Sequence, residues 1–298
     1  MIPDPGPHGG DAPAIAAALG LDLDTVLDLS MSLNPVAPDP VPVLARGVDA
    51  VHRYPDPEQA TAALAEAVGV DPDRLLLTNG GAEAIALVAA EVGGHVQEPE
   101  FGLHPRGDSG PLWRSNPHNP TGALAGVQEH ADVWDEAFYP LATGQWTRGD
   151  GEAIVVGSLT KLLACPGLRI GYVLADPDRI ARFRRWQPVW SVNGIACRAL
   201  PALLKTVDLP AWSGGVAALR AELVSLLRRH GLDPWPSAAN WVLVPDPRLR
   251  ERLAPYGVVV RDCTSFGLDG VVRIAVPGPA GLARLDDTLS RLAAAGSV

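Results

Sequence analysis

The chain has 298 residues, 47% of them hydrophobic and 19% charged, and a formal net charge of -10. This is the composition of an ordinary folded globular protein. Its negative field argues against nucleic acid or an anionic membrane as the main partner, so an anionic ligand would have to be met by local arginines. Three cysteines, Cys165, Cys197 and Cys263, are odd in number and widely spaced. They offer neither a disulfide framework nor metal-type spacing and point to a reducing cytoplasm with no bound metal. The N-terminus shows no basic stretch followed by an apolar run, and no segment reaches the ~18 apolar residues of a membrane span.

Residues 1–45 are rich in Pro and Asp and read as an extended N-terminal arm. Glu58–Val68 reads as an Ala-rich helix, followed by a strand at 74–78 and a helix from Ala82 to about Val92. Short strand-like runs fall at 131–134 and 153–157, and strands alternating with helices to about residue 200 imply a mostly parallel sheet. A helix at 216–230, strands at 241–244, 258–261 and 271–276, and a closing helix at 281–295 read as a smaller α+β lobe. The expected fold is therefore α/β, with a large domain over 46–205 and a small C-terminal domain over 206–298.

The run at 153–157 is apolar, β-branched and ended by Gly, and it delivers Ser158-Leu159-Thr160-Lys161 to the C-terminal end of a strand, where α/β sheets bind ligands. A lysine there can form a Schiff base with a carbonyl compound, provided its amine is desolvated or flanked by cations. Arg169, in Gly167-Leu168-Arg169, could supply both a neighbouring charge and a phosphate contact. Thr78-Asn79-Gly80-Gly81-Ala82-Glu83 leads from a strand into a helix, a turn whose first free N–H groups suit a phosphate. In Asn116-Pro117-His118-Asn119-Pro120-Thr121-Gly122, two X-Pro steps present amides rigidly. Asp135-Glu136-Ala137-Phe138 puts a carboxylate at a strand end, where it could hold a protonated pyridine nitrogen.

These motifs, in this order, resemble the fold-type I pyridoxal-phosphate enzymes of the aspartate aminotransferase superfamily, over nearly the whole chain. Two relatives stand out: histidinol-phosphate aminotransferase and L-threonine-O-3-phosphate decarboxylase. Pro7-His8-Gly9-Gly10-Asp11, Leu27 to Pro35 and Val260 to Phe266 are similar to signatures of the decarboxylase, whereas Arg53-Tyr54-Pro55 and Ala239-Asn240-Trp241 occur in both. The resemblance implies pyridoxal 5'-phosphate as cofactor, with Lys161 as its Schiff-base lysine, Asp135 as the pyridine-nitrogen partner and Asn119 as the contact to its 3-oxygen. Gly81, Ala82, Ser158 and Arg169 match the phosphate cup, and Tyr54 a residue reaching the neighbouring subunit's cofactor, which implies a homodimer. Arg273 matches the substrate-binding arginine, with Arg261, His8 and Asn240 as further substrate-side candidates. His104 falls where the family stacks an aromatic ring on the cofactor.

Two departures accompany the resemblance. Phe138 replaces a tyrosine that bonds the 3-oxygen in the histidinol-phosphate enzymes, unless Tyr139 supplies that hydroxyl. At about 1.5 Å per helical residue and 3.3 Å per strand residue, the stretch 101–116 cannot hold a strand, a crossover helix and a second strand; the stretch 122–135 is also trimmed. Either the sheet has lost a peripheral unit or dimerisation compensates. Three functions follow: decarboxylation of a phosphorylated amino acid, transamination, or a degenerate homologue that binds without turnover.

Overall fold

The computed structural model describes residues 2–6, 8–149 and 151–296. Among the described residues, eleven strands form three sheets. In chain order they are β1 (Leu27–Asp28), β2 (Leu75–Thr78), β3 (His95–Val96), β4 (Leu112–Ser115), β5 (Val133–Asp135), β6 (Ile154–Ser158), β7 (Gly171–Leu174), β8 (Trp241–Pro245), β9 (Val258–Val259), β10 (Arg261–Asp262) and β11 (Val271–Ala275).

The central sheet has the order β2–β7–β6–β5–β4–β3. Pairings β3–β4, β4–β5 and β5–β6 are parallel, and β7 runs antiparallel to both neighbours. Every strand but β7 therefore points the same way, and Thr78, Ser115, Asp135 and Ser158 end on one edge. Apolar residues cover both faces, as a helix-flanked sheet requires. Leu75, Leu77, Trp134, Val155 and Tyr172 face one core, while Leu76, Val133, Ile154, Val156 and Val173 face another.

The small sheet, β10–β11–β8, is antiparallel and packs against the helices Leu209–Arg229 and Pro279–Ala294. The helix Leu209–Arg229 begins well before the expected residue 216. Asp208 caps it through the Ala211 N–H, and Gly215 is tolerated within it because Val36 packs where a side chain would go. Its first half feeds the large core through Leu209, Trp212 and Val216, its second half the small core through Leu219, Leu223 and Leu226.

The N-terminal residues are not extended as the Pro and Asp content suggested. Ala12–Leu19 is a helix, since its Ala-rich run outweighs the flanking prolines, and it buries Ala12 and Ile15 against Ala254 and Val259. β1 pairs in parallel with β9, and the Leu29 N–H donates to Val259 O at 2.7 Å.

The trimmed region loses helices rather than strands. β3, β4 and β5 are all present, but the crossovers 97–111 and 116–132 contain no helix. Each is gathered instead around one arginine. Arg106 donates to the carbonyls of Glu100, Phe101 and His104, and Arg148 to those of Gly126, Val127 and Glu129. A guanidinium fork can satisfy several loop carbonyls that a helix would have satisfied internally.

Candidate active site

A cavity of about 330 Å³ opens at the strand-end edge, between the two lobes. It is lined by His8, Gly81, Ala82, Asn119, Asp135, Ser158, Lys161, Arg169, Arg261 and Arg273, ten of the thirteen residues expected at the site.

Lys161 sits in the short helix Leu159–Leu162 that follows β6. Burial lowers its ammonium from the ordinary 10.5 to about 8, helped by the positive charges of Arg273, Arg169 and Arg261 and opposed by Asp28. A free amine is thus available near neutral pH. Its backbone is fixed from the N-terminal segment, where the Asn34 N–H donates to Lys161 O and Asn34 Nδ2 to Leu162 O.

Behind the cavity wall at Arg169 and Gly81, the chain closes up on glycine. The helix Gly80–Val92 starts as β2 ends, with Gly80 at φ +78°. A Cβ there would lie 2.4 Å from Arg169 Nη2, and one on Gly171 would lie 2.6 Å from the Gly80 carbonyl carbon. Only bare backbone lets β7, the helix start and the Arg169 guanidinium converge. Arg169 itself adopts left-handed backbone at φ 57°. Free N–H groups at a helix start, a guanidinium and the Ser158 hydroxyl, itself 2.9 Å from Thr160 Oγ1, make an anion-binding concavity.

Asp135 closes β5. Its Oδ1 accepts from the Ala137 N–H, and its Oδ2 lies 3.0 Å from His104 Nε2. The carboxylate can only accept, so Nε2 carries the proton. Asn119 accepts at Oδ1 from Arg273 Nη1 at 2.9 Å, which leaves Nδ2 as the donor available to the cavity. Arg273 and Arg261 are directly opposed across β10 and β11, and both are buried. Burial, then the neighbouring Arg261, pushes Arg273 down to about 9, so it stays charged at neutral pH. Directly opposed like charges destabilise a sheet. Arg273 makes no salt bridge among the described residues, and its Nε is buried without a hydrogen-bond partner. Such a pair fits a bound anion. His8 is exposed at the rim, 6.1 Å from the Phe101 ring.

His104 and Asn240 lie elsewhere than expected, and Tyr54, expected at a neighbouring subunit's cofactor, lies outside this cavity. His104 does not stack over the cavity: it is buried behind Asp135, with its ring against Phe101 and Trp113. Phe101, three residues earlier, lines the cavity instead. Without a helix in 97–111 no periodicity marked which of the two faced inward. Asn240 is fully buried and donates to Ser32 O and Leu33 O, tying the N-terminal segment to the small sheet rather than facing the cavity. Tyr54 is 76% exposed, away from the cavity, and stacks on Trp190 at 4.2 Å. Phe138 lines the cavity, whereas Tyr139 opens the helix Tyr139–Thr143 outside it. Ser30 and Met31 line it too and carried no signal beyond their place in an N-terminal motif.

The family model described as "Aminotransferase class I and II" matches residues 106–285. This chain belongs to that family. Members use pyridoxal 5'-phosphate, and the chain is a homologue of decarboxylases and aminotransferases that depend on it. It is 29% identical to a threonine-phosphate decarboxylase of Salmonella typhimurium, over 97% of this chain and 98% of that protein. It is 31% identical to a histidinol-phosphate aminotransferase of Methanothermobacter thermautotrophicus, over 88% of this chain and 87% of the other. The first alignment runs over 360 positions although this chain has 298 residues, so the Salmonella protein carries stretches with no counterpart here. Among solved structures, a histidinol-phosphate aminotransferase from Clostridium acetobutylicum superposes with a TM-score of 0.79 at 20% identity, covering 90% of this chain and 99% of the other. The fold, α/β with a small antiparallel C-terminal sheet, is therefore shared.

The cavity suits the cofactor: a lysine with a depressed ammonium, a carboxylate at a strand end and an anion-binding helix start beside Arg169 all converge on it. Among the described residues no helix is long and apolar enough to cross a membrane, and no group of three or more His, Cys, Asp or Glu is placed to hold a metal ion.

Proposed function

We propose that the protein decarboxylates a phosphorylated amino acid, with L-threonine-O-3-phosphate as the substrate to test first. The observation that carries this is the opposed pair Arg261 and Arg273, buried and lining the same cavity as Lys161, with His8 at the rim. Two cations with an imidazole beside them suit a substrate bearing both a carboxylate and a phosphate. The relatives named above are also called after phosphorylated compounds.

In this reading Gly81 and Ala82 offer backbone N–H groups, Ser158 a hydroxyl and Arg169 a guanidinium to the cofactor phosphate. Asp135 accepts from the ring nitrogen, and His104 orients that carboxylate. Asn119, with Oδ1 occupied by Arg273, donates through Nδ2 to the ring's 3-oxygen. Phe101 packs against the ring face. Bound pyridoxal 5'-phosphate supplies an electron sink for the bond broken at the substrate's Cα. Lys161 would hold the cofactor through its amine until substrate arrives; once released, that amine would take up a proton and, as the ammonium, deliver it to Cα. Arg273 and Arg261 hold the anionic groups and so set which Cα bond stands perpendicular to the ring.

A homodimer completes the proposal. Tyr54 and Trp190 form an exposed stacked pair, and Val51, Trp186 and Val189, near them in the chain, are also more than half exposed. An apolar patch of this kind is typical of an interface. Light scattering should report twice the 31.2 kDa chain mass; a monomer fully loaded with cofactor would contradict it.

The deciding experiment incubates the loaded protein with O-phosphothreonine and, separately, with histidinol phosphate plus 2-oxoglutarate. Carbon dioxide from the first supports decarboxylation. Glutamate from the second replaces that reading with an aminotransferase, and neither product with cofactor bound leaves a binding homologue.

A further inference from the structure

Glu100 has no place in the chemistry above, yet its carboxylate is 2% exposed and lies behind the cavity wall formed by 97–111. A carboxylate so deep is retained only when its oxygens are well hydrogen-bonded. Oε1 accepts from the Phe101 N–H at 2.7 Å and from the Ser115 hydroxyl, and Oε2 accepts from the Ser115 N–H at 2.9 Å. No arginine or lysine pairs with it among the described residues. The nearest titratable neighbour is His104, whose Nδ1 lies 3.7 Å from Oε1 and has no hydrogen-bond partner.

Each of these partners leads to a different side of the cavity. Phe101 presents its ring to the cavity. Ser115 Oγ, once its proton is given to Glu100, accepts from the Asn119 N–H at 2.7 Å. The His104 ring, packed between Phe101 and Trp113, reaches Asp135 Oδ2 through Nε2. One buried carboxylate therefore connects directly to the ring-face residue and, through Ser115, to the Asn119 backbone N–H, and it abuts the imidazole that bonds Asp135, in the part of the sheet where helical crossovers are missing.

We infer that Glu100 is a positioning residue, the hub that holds Phe101 and, through Ser115, Asn119 around the cofactor ring in place of a crossover helix. The inference rests on the cofactor reading of the cavity. Its basis is charge as well as shape: an ionised carboxylate accepts all three donors at once, whereas an amide must turn one NH2 group toward a donor.

The test uses visible circular dichroism of the protein saturated with pyridoxal 5'-phosphate, which reports the asymmetric surroundings of the ring, together with the cofactor dissociation constant. Glu100→Gln should weaken cofactor binding about ten-fold and cut the visible band by at least about half even at saturation, an effect of lost charge-assisted bonding. If that variant does not fold, Ser115→Ala cuts the link to Asn119 alone and should still change the band by a measurable fraction. A wild-type band and affinity in folded Glu100→Gln, or in Ser115→Ala should the first not fold, would overturn the inference. Failure of the unmodified protein to bind the cofactor at all would instead overturn the reading on which it rests.

Discussion

The two halves of the cavity wall are built by different means. On the Lys161 side every group hangs on regular structure: Gly81 and Ala82 on the first turn of a helix, Ser158 on the end of β6, Lys161 on the short helix after it. On the Asn119 side the strands remain but the connecting helices do not. There Arg106, Arg148 and Glu100 hold irregular backbone by side-chain hydrogen bonds. Backbone ladders are local and cooperative, so the first half tolerates surface change; the second depends on a few polar side chains, of which the buried Glu100 carboxylate is the costliest to leave unpaired.

Four substitutions break or sharpen this contrast, in order of expected effect. Lys161→Ala should abolish covalent attachment of the cofactor, because the only other lysine is Lys205, at the C-terminal end of the helix Gly194–Leu204 and away from the cavity. The check is the visible band, which should be absent or lost on dialysis. Asp135→Asn should keep the cofactor but slow turnover on the order of 100-fold, since a neutral amide cannot hold the ring nitrogen protonated. Steady-state kinetics with the accepted substrate would show near-normal rates if that role is wrong.

Gly80→Ala tests the regular half. Its φ of +78° and the 2.4 Å approach of a Cβ to Arg169 Nη2 mean that the guanidinium must move. Cofactor affinity should fall about ten-fold through strain and a displaced phosphate contact; a titration monitored by absorbance measures it. Arg106→Lys tests the other half by keeping the charge and removing the fork. Affinity should fall only about two- to three-fold, as an exposed charged contact is worth little. Hydrogen exchange should speed up in residues 98–106 and stay unchanged in Gly80–Val92, the differential response that the contrast requires.

The same division governs what could be read from sequence. Where structure is regular, the pattern sufficed: the apolar run before Ser158, the Gly-Gly turn before Ala82 and the acidic strand end at Asp135 led to residues that do line one cavity. Where backbone is irregular, no period of 2 or 3.6 says which side chain points inward. Hence His104 was expected over the ring and is found behind Asp135, while Phe101 takes the cavity wall. Asn240 was misplaced for another reason. A buried amide that ties two distant segments looks in sequence like a ligand contact, whereas the exposed Tyr54 keeps the place expected of a residue that reaches another subunit. Shortness of 101–116 was legible, but not that the strand would survive and the helix would not. That outcome depends on Arg106 and Glu100 replacing helical hydrogen bonds, which only three-dimensional proximity reveals.

The central claim is that Lys161, half-buried among arginines, is the amine that takes the cofactor. It is tested most directly by following covalent attachment of pyridoxal 5'-phosphate against pH, with borohydride trapping and peptide mapping. Attachment needs the free amine, so its rate should rise with pH to a midpoint near the lowered value of about 8, with the label on Lys161. A midpoint near the ordinary lysine value of 10.5, or a label on Lys205, would contradict the account.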